Sequence, residues 1–288
     1  MRKLSALIVC AALLGACSND MGTTTITLGV AGLEDLGPDF VYEGWIIVDG
    51  EPVTAGRFSV DEDGNPDPAT AEVDTVMAEG ATLYVLTIEP AVGDAPEPSS
   101  VHILAGPISG GIASLSPGHE AALGTDFSTA AGEYILETPT SGSVADDYNQ
   151  GIWWLVPGAA GMAPGLDLPT LPAGWTYEGW VVGPDGPVST GTFGSGDGAD
   201  SDGAGADAGP DGSPPFPGQD FITPAQDLTS GYMAVISVEP VPDNSPAPFL
   251  IKPLADSSIE DLMAPGTQSM DNIAATTLPS GSVSIGLQ

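Results

Sequence analysis

The chain has 288 residues, with 39 Asp and Glu against 4 Lys and Arg, and a formal charge of −35. So acidic a surface repels phosphate backbones and excludes nucleic acid as a partner, while a 42% hydrophobic content can bury real cores and excludes a disordered acidic tail. With 39 Gly and 28 Pro, long helices are poorly supported, and a loop-rich β protein is expected.

At the N-terminus, Met1-Arg2-Lys3 precedes an apolar run from Leu4 to Ala16. A basic start, an apolar stretch and small residues at its end make a secretory signal. As a helix the run reaches about 20 Å, short of the hydrocarbon core of about 30 Å. Leu14-Gly15-Ala16-Cys17 resembles the lipobox of bacterial lipoproteins. That resemblance implies removal of residues 1–16, a diacylglycerol on the Cys17 sulfur and acylation of the new amine. Two or more acyl chains anchor a protein stably to a membrane. Ser18 follows the cysteine and, by analogy with lipoprotein sorting, favours the outer membrane in a diderm cell. Cys10 leaves with the signal, so no disulfide and no thiolate metal site is expected. Loss of Arg2 and Lys3 takes the charge from −35 to −37, with Arg57 and Lys252 the remaining basic residues.

After a tether over 17–24 the chain repeats itself. Tyr42-Glu43-Gly44-Trp45 returns as Tyr177-Glu178-Gly179-Trp180, Pro52-Val53-Thr54 as Pro187-Val188-Ser189, and Gly56 and Phe58 as Gly191 and Phe193, all 135 residues on. Val85, Glu89-Pro90, Pro96 and Pro98 return 150 residues on, at Val235, Glu239-Pro240, Pro246 and Pro248. The spacing predicts an all-β protein of two tandem β-sandwich-like domains, 25–158 and 159–288, each expected to fold alone. Strands are expected over 41–48, 82–88, 177–182 and 233–238, where aromatic and β-branched residues run between turns such as Asp49-Gly50 and Asp185-Gly186. Ile152-Trp153-Trp154-Leu155 is expected to close the first domain, with one tryptophan exposed at the junction. The second domain carries an insertion over 194–220, read as a solvated, flexible acidic loop.

In the first domain, Tyr-Glu-Gly-Trp, Pro-Val-Thr-Ala-Gly-Arg-Phe and Thr-Ile-Glu-Pro-Ala-Val-Gly-Asp-Ala-Pro-Glu-Pro resemble the extracytoplasmic C-terminal domain of anti-sigma-K factors, and the second resembles it at the matching positions. The resemblance implies a β-sandwich on the outer side of a membrane, the sensory part of a signalling protein. Such factors hold their sigma factor with a cytoplasmic domain ahead of a transmembrane helix. A chain exported whole would not touch a sigma factor directly, and would act through a membrane or periplasmic protein partner.

Glu89-Pro90 and Glu239-Pro240 read as strand terminators, because proline cannot donate into a ladder, with a ligand-binding edge as the alternative. Trp45 and Trp180 read as core residues. Asp61, Asp63, Asn65, Asp67 and Glu72 fall at the spacing of an EF-hand calcium loop, but Pro66 stands where that loop needs glycine and no flanking helices are evident, so the segment reads first as a solvated acidic turn. His102 and His119 have no counterparts in the second domain, and no catalytic constellation is legible. The expected function is that of a membrane-anchored, non-catalytic sensing or protein-binding lipoprotein of the cell envelope. A calcium-supported surface adhesion or carbohydrate-binding lipoprotein is the alternative.

Overall fold

Strand β1 (Thr23–Ala31) buries every second residue, including Thr24, Ile26, Leu28 and Val30, because side chains alternate across a pleated strand. In β2 (Phe40–Val48) five consecutive residues, Tyr42 to Ile46, are buried, because both faces are covered. One face meets the main core, and the other packs Trp45 with Val85, Ala105 and Ala122. The computed structural model describes residues 22–61, 63–142, 147–159, 161–243 and 245–287; Cys17 and the expected signal over 1–16 lie outside them.

The first half continues with β3 (Glu51–Val60), β4 (Pro66–Asp67), β5 (Thr70–Asp74), the short helix α1 (Thr75–Gly80), β6 (Ala81–Pro90), β7 (His102–Ser109), β8 (Ile112–Leu115) and β9 (Ala131–Leu136). After them come β10 (Gly151–Trp153), β11 (Leu155–Gly158), β12 (Gly161–Pro164), β13 (Leu166–Asp167), β14 (Trp175–Gly183), β15 (Gly186–Phe193) and β16 (Gly218–Asp220). The last elements are β17 (Met233–Pro240), β18 (Leu254–Asp256), β19 (Thr267–Asn272), the helical turn α2 (Ala274–Thr277) and β20 (Ser280–Ile285). They build two large antiparallel sheets, so the all-β reading holds. The first runs β4-β3-β2-β6-β7-β8-β20-β1-β5 and the second β15-β14-β17-β18-β19-β9-β10-β16, with β13 also paired to β9.

The expected boundary at 158/159 does not separate these sheets. β20, at the end of the second half, lies in the first sheet between β8 and β1, with Leu28 opposite Val283. β9, from the first half, lies in the second sheet against β19, and its Gly132 faces Leu166 of β13. The two halves thus exchange corresponding strands, and each sheet is incomplete without the other half.

The same exchange displaces Trp153-Trp154. β10 joins the second sheet instead of closing the first, and both tryptophans are fully buried. They point to opposite faces. Trp154 enters the main core and donates to Thr190 Oγ1 at 3.1 Å. Trp153 lies under Ala204 and Phe216 and donates to Asp220 Oδ1 at 2.8 Å. The 194–220 insertion keeps much of its acidic stretch exposed, as a solvated loop would, but through Ala204 and Phe216 it is also a cover over Trp153. It is fastened by Gly218 N to Asp200 Oδ2 (2.8 Å), Gly209 N to Thr140 Oγ1 (2.7 Å) and Asp220 N to Ala204 O (3.1 Å).

Candidate functional site

Tyr-Glu-Gly-Trp builds the same local structure at both of its occurrences. Tyr42 Oη donates to Glu34 O at 2.9 Å and its ring stacks on Phe58; Tyr177 Oη donates to Pro169 O at 2.6 Å and stacks on Phe193. A register shift lies between Glu43 and Trp45 against β3, and another between Glu178 and Trp180 against β15. Such bulges re-aim side chains. The glycine within each bulge is forced by close approach: a Cβ at Gly44 would lie 2.0 Å from Tyr84 Oη, and one at Gly179 would lie 2.3 Å from Thr190 Oγ1.

The tryptophan indole then starts a buried relay. Trp45 Nε1 donates to Thr87 Oγ1 (2.9 Å), Thr87 donates to Glu89 Oε1, and Ser99 N donates to the same oxygen (2.8 Å). In the second half Trp180 Nε1 donates to Ser237 Oγ (2.8 Å), Ser237 to Glu239 Oε1, and Phe249 N to that oxygen (2.9 Å). Glu89 and Glu239 are thus more than strand terminators: each pins the loop that follows its strand. Burial pushes both carboxyls up, Glu239 to about 7, against the lowering effect of their hydrogen bonds.

Those two loops meet in a groove of about 430 Å³ between the halves. Its walls are residues 34–40 and 99–101 on one side and 240–243 on the other, with Ile88 and Phe249 also in the lining. Matching bonds hold the walls in place: Ala91 N donates to Asp39 O and Val241 N to Gly174 O, both at 2.8 Å. Trp175 Nε1 donates across the junction to His102 O (3.2 Å). Gly174, at φ +89°, lies where a Cβ would fall 2.4 Å from Ser100 O, so the halves touch backbone to backbone. The groove is apolar at Leu36, Phe40, Val101 and its prolines, and acidic at Glu34, Asp35, Asp39 and Asp243. Burial raises Glu34 to about 7, an effect opposed by Lys252. Such a volume, mostly apolar with a few polar groups, is typical of ligand sites.

The calcium spacing read from the sequence is not assembled. Asp61 Oδ1 accepts from the backbone of Asp63 (3.0 Å) and of Asn65 (2.8 Å), and the Asn65 side chain turns back onto the same carboxylate. Asp67 pairs with Ser59 in β4, while Glu72, on β5, accepts from Thr25 Oγ1 (2.6 Å). Among the described residues the only gathered trio of carboxylates is Glu178, Glu239 and Asp243. Sequence reasoning named Glu239 but passed over Glu178 inside its motif, and nothing local marked Asp243. Among the described residues, no helix is long and apolar enough to cross a membrane.

Residues 12–103 match the family described as anti-sigma-K factor rskA, C-terminal. The match covers β1, the relay from Trp45 to Glu89 and one wall of the groove, and it spans less than half of the chain. Neither a curated protein nor a solved structure matches the chain.

Proposed function

We propose that this protein is a lipid-anchored, extracytoplasmic, non-catalytic binding module. In this reading the groove between its halves takes an apolar segment bearing positive charge, supplied by a membrane or periplasmic protein. The observation that carries it is the groove itself: apolar walls from both halves, rimmed by four carboxylates in a chain of net charge −35. Long-range attraction steers a cationic partner to such a rim, and apolar burial retains it. The likeness of residues 12–103 to an anti-sigma-factor domain supports a place outside the cytoplasm. The recurrence of both relays supports a duplication of that domain, with the second half diverged. Any influence on a sigma factor passes through the bound protein.

The anchor and the groove are tested together. Cys17→Ser is expected to abolish incorporation of labelled fatty acid and to leave the protein unprocessed; equal labelling of both forms counts against the anchor. A benzophenone amino acid at Ser100 is expected to cross-link a discrete envelope protein in intact cells. Excess soluble protein beginning at Gly22, without the apolar N-terminal run, should compete that cross-link away. A cross-link that resists competition, or its absence, counts against the groove.

A further inference from the structure

The two halves treat their buried glutamates differently. In the first half, Arg57 Nε lies 3.3 Å from Glu43 Oε2 and its Nη2 lies 3.6 Å from Asp94 Oδ2, while the same guanidinium donates to the Pro90 carbonyl. The matching position 135 residues on is Thr192, which carries no charge. Lys252, the only base of the second half, donates to Phe249 O at 2.7 Å; its field reaches Glu239 and Glu34. Among the described residues, however, the only ion pairs are those of Arg57.

Nothing equivalent to Arg57 meets Glu178, Glu239 and Asp243. One oxygen of each lies within 4.8 Å of the others. Glu178 is 5% exposed and Glu239 0%, and neither Oε2 has a neutral or cationic donor; the group beside Glu178 is the Asp243 carboxyl, close enough to share a proton with it. Their other oxygens are committed to the fold, Glu178 Oε1 to Ser189 Oγ and Glu239 Oε1 to Ser237 Oγ and Phe249 N. Asp243 is exposed, accepts from Ser245 N at 2.8 Å, and closes the trio on the solvent side. Glu89 Oε2, in the first half, is likewise unpartnered, but its neighbours Glu43 and Asp94 already hold a guanidinium. Carboxylates buried without a counter-charge either retain a proton or take a cation.

We propose that Glu178, Glu239 and Asp243 bind a calcium ion, which does in the second half what the Arg57 guanidinium does in the first. The donors are all carboxylate oxygens, the set that hard cations prefer. Oxygens about 2.4 Å from one calcium ion lie at most about 4.8 Å apart, which the trio satisfies; magnesium, at about 2.1 Å in strict octahedra, needs a tighter cage. Water on the exposed side of Asp243 completes the shell. Burial raises Glu178 and Glu239 to about 7, with Asp243 adding like charge to both and Asp202 adding it to Glu178. The trio is thus in competition between protons and metal. The proposal does not depend on what the groove binds.

Trp180 supplies a local reporter, being two hydrogen bonds from the Glu239 carboxylate through Ser237. Terbium titrated into the full chain in about 0.15 M salt, which screens loose surface binding, is expected to give saturable, tryptophan-sensitised emission at one ion per chain. Calcium should displace it at least tenfold more effectively than magnesium. Glu239→Gln should weaken binding at least tenfold. Thr192→Arg, which supplies the guanidinium of the first half, should abolish it while the circular dichroism stays β-type, and it stands as the test if Glu239→Gln does not fold. Absence of saturable emission, magnesium as effective as calcium, or emission unchanged in Thr192→Arg would overturn the site.

Discussion

Glu178 is held through one oxygen by the Ser189 hydroxyl, Glu239 through one oxygen by the Ser237 hydroxyl and the Phe249 amide, and each lacks a neutral or cationic donor at the other. Burial is the first cause of their rise to about 7, and the hydrogen bonds only moderate it. The consequence for stability has a definite sign. Between about pH 4.5 and 7 the folded protein holds protons on these carboxyls that the unfolded chain has released, so stability falls as pH rises through that window. It is fully present below the unfolded value and lost above the folded one. The metal-free protein is therefore expected to melt several degrees lower at pH 8 than at pH 5, measured in chelator. The double variant Glu178→Gln with Glu239→Gln should reduce that slope, the remainder belonging to other buried carboxyls such as Glu34 and Asp200, which burial also raises. A melting temperature that rises from pH 5 to pH 8, or a slope untouched by the double variant, would show that these two glutamates do not control it.

At the scale of elements, the exchange of β9 and β20 decides what can fold. Removing 280–288 takes away the strand between β8 and β1 and leaves Val283 and Ile285 out of the core. The same deletion exposes two unpaired strand edges, which invite aggregation. A fragment over 23–157 is accordingly expected to be insoluble or to lack a cooperative melt, and to regain one when co-expressed with 158–288. Soluble, cooperatively melting separate halves would contradict the exchange. The four strands at the centre of the repeated motifs were legible, because Phe40–Val48, Ala81–Pro90, Trp175–Gly183 and Met233–Pro240 are dense in aromatic and β-branched residues between turn signals. Partner choice was not. β9 and β20 occupy corresponding places and have the same length, and each is short, so nothing in the local pattern of either chooses its sheet. The trio escaped for a related reason: Glu178 is separated from Glu239 and Asp243 in sequence, and only the pairing of β14 with β17 brings them together. The cover over Trp153 escaped because Asp, Gly and Ser content describes solvation and is silent about Ala204 and Phe216 within it.

The whole molecule has a direction. Cys17 precedes Thr23 by a few residues, a reach of roughly 20 Å at full extension, so the proposed anchor sits at the N-terminal end of β1. The groove begins at Glu34, just past the other end of that strand. At about 3.4 Å per residue, the nine residues of β1 place some 30 Å between the two ends. An acidic protein is also repelled by an anionic membrane surface, which favours the orientation with the groove outward, open to another protein and turned from the lipid. The expectation is tested on the acylated protein reconstituted in vesicles, with a fluorophore attached at Thr23→Cys or at Val92→Cys. Both positions are exposed, and Val92 lies on the loop that enters the groove wall. Nitroxide-labelled lipid headgroups should quench the probe at residue 23 strongly and the probe at residue 92 hardly at all. Equal quenching at the two positions would mean that the molecule lies along the membrane with its groove against the lipid, and a free protein partner would no longer be the occupant the geometry favours.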